Sequence, residues 1–184
     1  MLASIHPLGE RARGHRWGWT VTWYLLGSTA GGATLGALVG TARLRAGPAV
    51  VVALCLGAAL VEASGLRPPG WRRQVDEVWL SRYRGWVYGL GFGYQLGLGV
   101  VTIVSTAAVY LAFVLAGLSG GAAPGALIGA TFGFTRALPV LALGGVREPA
   151  RLRRLHAKVA AAAPWSQRVT VAALVAAAVG GGLR

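Results

Sequence analysis

The residues able to do chemistry in this chain are few, and arginine dominates them. Five acids stand against eighteen Lys/Arg and three His, for a formal net charge of +13. Two charged residues fall deep inside apolar stretches, Glu62 and Arg136. An isolated charge in hydrocarbon costs roughly 2.5–3.5 kcal/mol, so a residue of this kind needs a partner or a task. Glu62 lies 14 residues beyond Pro48 and Arg136 lies 15 beyond Gly121, which puts them at similar depth. That spacing predicts a buried Glu62–Arg136 pair. Alternatively, Glu62 snorkels to the nearby surface while Arg136 binds carbonyls freed by Pro139. A second polar group comprises Gln95, Thr102, Ser105 and Thr106, with Gly97 and Gly99 beside it. Such a stretch can unwind and present backbone groups to a ligand, or its hydroxyls can satisfy helix carbonyls locally. Together Arg136, Glu62, Gln95, Thr102, Ser105 and Thr106 form the candidate substrate-binding set.

Other chemistries lack their residues. His6, His15 and His156 have no HxxxH or HxxE spacing, so no metal site is expected. The single cysteine, Cys55, excludes an intramolecular disulfide and reads as a small buried hydrophobe. The adjacent acids Asp76 and Glu77 would point to different helix faces and make no hydrolytic pair. The glycine-rich runs lack the Lys-Ser/Thr of a phosphate loop. The expectation is a protein that is not an enzyme, with no catalytic residues and no cofactor.

The elements that hold these groups are marked by where the charge lies. Thirteen of the eighteen Lys/Arg fall in three stretches, Arg11–Arg16, Arg67–Arg84 and Arg147–Lys158. Nearly uncharged segments separate them, in a chain that is 55% hydrophobic, 12% charged and of mean hydropathy +0.59. The pattern predicts an all-α, polytopic transmembrane bundle in one domain, residues 1–184. About five spans are expected, at 17–42, 48–66, 85–118, 121–145 and 165–183. Segments of this length suit a bilayer, and the placement of the charge argues against nucleic acid as partner. With the N-terminus in the cytoplasm, fourteen Lys/Arg lie inside and only Arg43, Arg45 and Arg184 outside. The positive-inside rule then gives an inner-membrane protein with its N-terminus in and its C-terminus out. The first apolar segment is too long for a cleavable signal and reads as a retained span.

Two basic loops carry apolar residues at helical spacing, Trp71, Val75, Val78, Trp79 and Tyr83, then Leu152, Leu155 and Val159. Both predict short amphipathic helices in the interface, facing anionic headgroups. Glycines recur every fourth residue at Gly32, Gly36 and Gly40, at Gly89, Gly93 and Gly97, and at Gly125, Gly129 and Gly133. These rows predict close helix packing and offer a face for an oligomer or a membrane-complex partner. The third span would reach about 51 Å as one straight helix, against a hydrocarbon core of about 30 Å, so it must tilt, start along the interface or break.

From about Gly85 to Gly145 the chain resembles the CcdA/DsbD membrane-domain family and, in style, small LysE- and TauE-type transporters. The resemblance rests on the run Tyr88-Gly89-Leu90-Gly91-Phe92-Gly93, a polar break at Thr102 to Thr106, and a Gly-rich helix ending Arg136-Ala137-Leu138-Pro139-Val140-Leu141. Ser4-Ile5-His6-Pro7 looks like the start of the other half. It implies a repeat-based bundle with a broken helix at the midplane. The family's electron transfer does not carry over, because Ser105 and Thr106 stand where its Pro-Cys would fall and a sixth span is lacking. The resulting expectation is transport of a small solute, anionic if Arg136 is the fixed cation of the site, or a transporter-type subunit. The alternative is a non-catalytic accessory or assembly subunit of a larger membrane complex.

Overall fold

The computed structural model describes residues 5–66, 78–99, 106–146 and 148–182, and among these it is all helix. The order is α1 (Pro7–Ala12), α2 (Trp17–Gly40), α3 (Pro48–Ala63), α4 (Val78–Arg82), α5 (Gly85–Gly97), α6 (Ala107–Gly117), α7 (Ala122–Ala137), a 3-10 helix (Leu138–Leu143) and α8 (Pro149–Gly182). Proline opens α1 and α3, where its missing N–H costs nothing. His6 caps α1, its Nδ1 accepting the Gly9 N–H at 3.1 Å.

The centre of the fold is α2, clasped between α5 and α7 by glycine. A Cβ on Gly89, Gly93 or Gly97 would run into the carbonyls of Thr20, Tyr24 and Ser28 respectively. On the other side, Gly32, Gly36 and Gly40 sit against the carbonyls of Gly129, Gly125 and Gly121. All three predicted rows are therefore interfaces of one helix. α2 also carries Gly27 and Gly31, which meet the backbone of Leu90 and Tyr94 on α5. Backbones this close gain dense dispersion contacts without ordering long side chains. The buried Ser28 hydroxyl adds a hydrogen bond across helices, donating to the Gly133 carbonyl at 2.6 Å.

A second layer pairs α3 with α8. Cys55, Ala58 and Ala59 pack there with Leu174 and Ala178, and α6 contributes Ala107 and Leu111. The reading of Cys55 as a small buried hydrophobe fits this setting. α6 joins the layers, since its Val109 and Phe113 also meet Leu35 of α2 and Phe132 of α7. At one end of the bundle Ile5, Val21, Tyr88, Val140 and Val146 form the largest apolar cluster, with Leu152 and Leu155 of α8 against it.

The five-span expectation needs correction. Among the described residues one helical unit is long and apolar enough to cross a membrane, the 22 residues Ala122–Leu143. Predicted span two is the 16-residue α3, and predicted span three is two helices, the second of 11 residues. Span one is a 24-residue helix, but Gly, Ser and Thr dilute its apolar character because they make its contacts. The predicted interfacial helix after Pro149 and predicted span five form one helix of 34 residues that continues through Pro164. Of the other predicted interfacial helix, α4 is the described portion, and Trp71 and Val75 lie outside the described residues.

Candidate functional site

The expected break in span three is present, and the two buried charges attend its ends. α5 stops at Gly97, and Gly99 follows with φ +69°, a left-handed conformation that stops the helix from continuing. α6 begins at Ala107. Its N-cap residue, Thr106, makes no side-chain capping bond. Glu62 supplies that bond from α3, its Oε2 accepting the Ala107 N–H at 3.0 Å, with the side chain buried. Arg136 of α7 reaches the other end, where Nη1 donates to the Gly99 carbonyl at 3.5 Å. Its guanidinium also lies over the Phe132 ring, 5.6 Å from the centroid.

The predicted Glu62–Arg136 ion pair is thus corrected. The residues share a depth but point to different partners, because equal depth does not fix the direction around a helix axis. Glu62 is buried instead of snorkelling to the surface, and Arg136 does meet a backbone carbonyl, that of Gly99. The physical logic is that of helix dipoles, with an anion at the positive N-terminus of α6 and a cation near the negative C-terminus of α5. Gln95 is half-buried on α5, and Thr106 sits at the start of α6. Thr102 and Ser105 lie outside the described residues.

A second polar constellation escapes the sequence reading. Glu10, fully buried on α1, accepts hydrogen bonds from three elements. Arg13 Nη2 donates to its Oε1 at 2.7 Å, and Thr20 Oγ1 of α2 donates to its Oε2 at 2.6 Å. The Tyr88 hydroxyl of α5 lies 2.6 Å from both carboxylate oxygens. That hydroxyl has one proton, which goes to the carboxylate. His15 Nδ1, 3.2 Å from the same oxygen, is therefore the donor in its own contact. Gly85 makes room for the cluster, since a Cβ there would meet Thr20 Oγ1 at 2.6 Å. Burial alone would raise the Glu10 pKa. The bonds from Thr20, Tyr88 and Arg13 outweigh it and hold the carboxyl below its ordinary value. A carboxylate so saturated is a poor proton shuttle at neutral pH and a good clasp, tying α1 to α2 and α5. A shallow cavity of about 260 Å³ opens beside it, lined by His15, Arg16, Trp19, Arg84 and Trp86. The available signal is Glu10 three residues ahead of Arg13, an i,i+3 pair on one helix face.

Two curated proteins are similar over most of the chain. It is 32% identical over 152 residues to the methylamine utilization protein MauF of Paracoccus versutus. It is 30% identical over 151 residues to MauF of Methylophilus methylotrophus. Each match covers 76% of this chain, but 55% and 53% of those proteins. The chain therefore spans about half the length of the curated relatives it matches. No family model matches it. No solved structure matches it either.

These matches overturn the CcdA/DsbD-type and LysE/TauE-like resemblance, and with it the expectation of a transporter. That likeness rested on a third of the chain. Its glycine runs are packing faces, the Gly89 row meeting α2 backbone and Tyr88 binding Glu10. Glycine spacing imposed by close packing recurs wherever helices pack closely, so it is a poor guide to kinship.

Proposed function

We propose that this chain is a non-catalytic accessory protein in the use of methylamine, and that its helical bundle is seated in a lipid bilayer. The single observation that carries the accessory role is the 32% identity to MauF over 152 residues. The architecture is in keeping with it. The charges inside the bundle are engaged in holding it together, Glu62 and Arg136 at the helix break and Glu10 at the clasp. The polar groups of the break position helix ends in this reading, rather than a solute.

Membrane seating is supported by the side chains that face outward. Leu38, Leu60, Leu127, Val169 and Val179 are each at least 60% exposed, on four different helices. Such a surface suits acyl chains better than water. The described cations that flank the apolar segments also divide between the ends of the bundle. Arg43 and Arg45 lie at the α2–α3 turn, while Arg11, Arg16, Arg82, Arg84, Arg151 and Arg154 belong to the segments around the opposite end. In this proposal the basic end is cytoplasmic, the N-terminus is inside, and several helices besides Ala122–Leu143 cross or partly enter the bilayer.

Two measurements test the proposal. Disrupting the gene in a host that grows on methylamine should abolish that growth and spare growth on succinate; equal growth on both refutes the role. Alkaline carbonate should leave the chain in the membrane pellet; release into the supernatant refutes the seating.

A further inference from the structure

A cavity of about 450 Å³ lies where the 3-10 helix ends and α8 begins, apart from both the helix break and the Glu10 clasp. Its rim carries Arg151, Arg154 and Lys158, with Val146 and Leu155 forming apolar wall. Residues 151, 154, 155 and 158 fall at i, i+3, i+4 and i+7, so one face of α8 presents all three cations. Arg151 extends back across the mouth, its Nη2 3.7 Å from where a Gly145 Cβ would be. Glu148 is the one acid in the lining, and among the described residues none of the three cations has an ion-pair partner. Converging cations beside an apolar wall suit a ligand that is anionic at one end and greasy at the other. The volume is within the range of small-molecule sites.

We propose that this cavity binds the phosphate group of an anionic phospholipid, with the start of its acyl region against Val146 and Leu155. Free phosphate would use the cations and leave the wall idle, so the wall selects the lipid. The site deepens the membrane half of the proposed function and rests on it; it does not depend on the accessory role.

The test uses the full chain in a neutral detergent, titrated with dioctanoyl phosphatidylglycerol, dioctanoyl phosphatidylcholine and inorganic phosphate. One phosphatidylglycerol per chain should bind in preference to the other two. The triple variant R151Q/R154Q/K158Q should weaken that binding about tenfold, the combined worth of three exposed ion pairs. The triple variant R11Q/R45Q/R82Q removes the same charge from other elements, outside the cavity lining, and should weaken it less than about twofold, since exposed charges beyond a Debye length of about 10 Å are largely screened. Ala142→Trp narrows the cavity, keeps every charge and should also weaken it. Equal loss in both triple variants would reveal a diffuse basic field and overturn the site, as would no loss in either. Phosphate saturating the site as tightly as lipid would overturn the lipid assignment. Carbonate extraction separates the two proposals. A retained chain without phosphatidylglycerol preference fails as a lipid site, and a released chain fails as a membrane protein.

Discussion

Glu62 and Glu10 show how differently two buried carboxylates can serve one fold. Glu62 gives α6 the cap that its own N-terminal residue does not. Glu62→Ala would leave a buried N–H without a partner and should cost about 1–3 kcal/mol in a detergent unfolding titration. Glu62→Gln keeps an acceptor and loses only the charge–dipole attraction, about 0.3–1 kcal/mol. Glu10 adds a pH dependence. Its pKa is lowered in the fold, so its stabilisation is fully present above the ordinary carboxyl value of 4.5 and is lost as pH falls through the lowered one. Glu10→Gln should therefore be less stable than wild type by about 1–3 kcal/mol at about pH 7, with the gap closing as pH drops below 4.5. Thermal melts at neutral pH, near the ordinary carboxyl value and well below it read this directly. A gap that widens in acid would refute the assignment.

Helices are more legible in the sequence than the contacts of single side chains. The four-residue glycine rows mark real interfaces, and the excess length of residues 85–118 correctly requires tilt or a break. Depth along a helix can be counted, but direction around its axis cannot, which is why Glu62 and Arg136 look like partners and are not. Glu10 is inconspicuous because it stands among arginines whose placement already serves as a topology signal. The interfaces make their own prediction. Gly32→Ala forces a methyl into the Gly129 carbonyl and should cost about 1–3 kcal/mol. Gly57→Ala meets open space on α3 and should gain up to about 1 kcal/mol from helix propensity. If both variants melt alike, glycine packing is not what holds α2 between its neighbours.

For the whole molecule, the segregation of cations predicts sidedness. In intact cells a membrane-impermeant thiol reagent should label Arg45→Cys at the α2–α3 turn, and should label Arg16→Cys only after lysis. The native Cys55 is buried and should stay silent in both. The reverse pattern would invert the proposed topology. The all-helical class is readable from composition and charge. Kinship is not, because spacings that look like a family signature are shared by tightly packed helices in general.

The pairing of α3 with α8 also has a consequence in time. α3 ends at Ala63, and its contacts with α8 come from Leu174 and Ala178 and from Gln167, whose side-chain amide donates to the Glu62 carbonyl. Roughly a hundred further residues must leave the ribosome first, about 5–20 s of synthesis. Through that interval the nascent α3 has no α8 to lie against. Any factor that shields it, whether lipid, insertase or chaperone, must let go when α8 arrives, and a chain cut short before Gln167 would never call for that release.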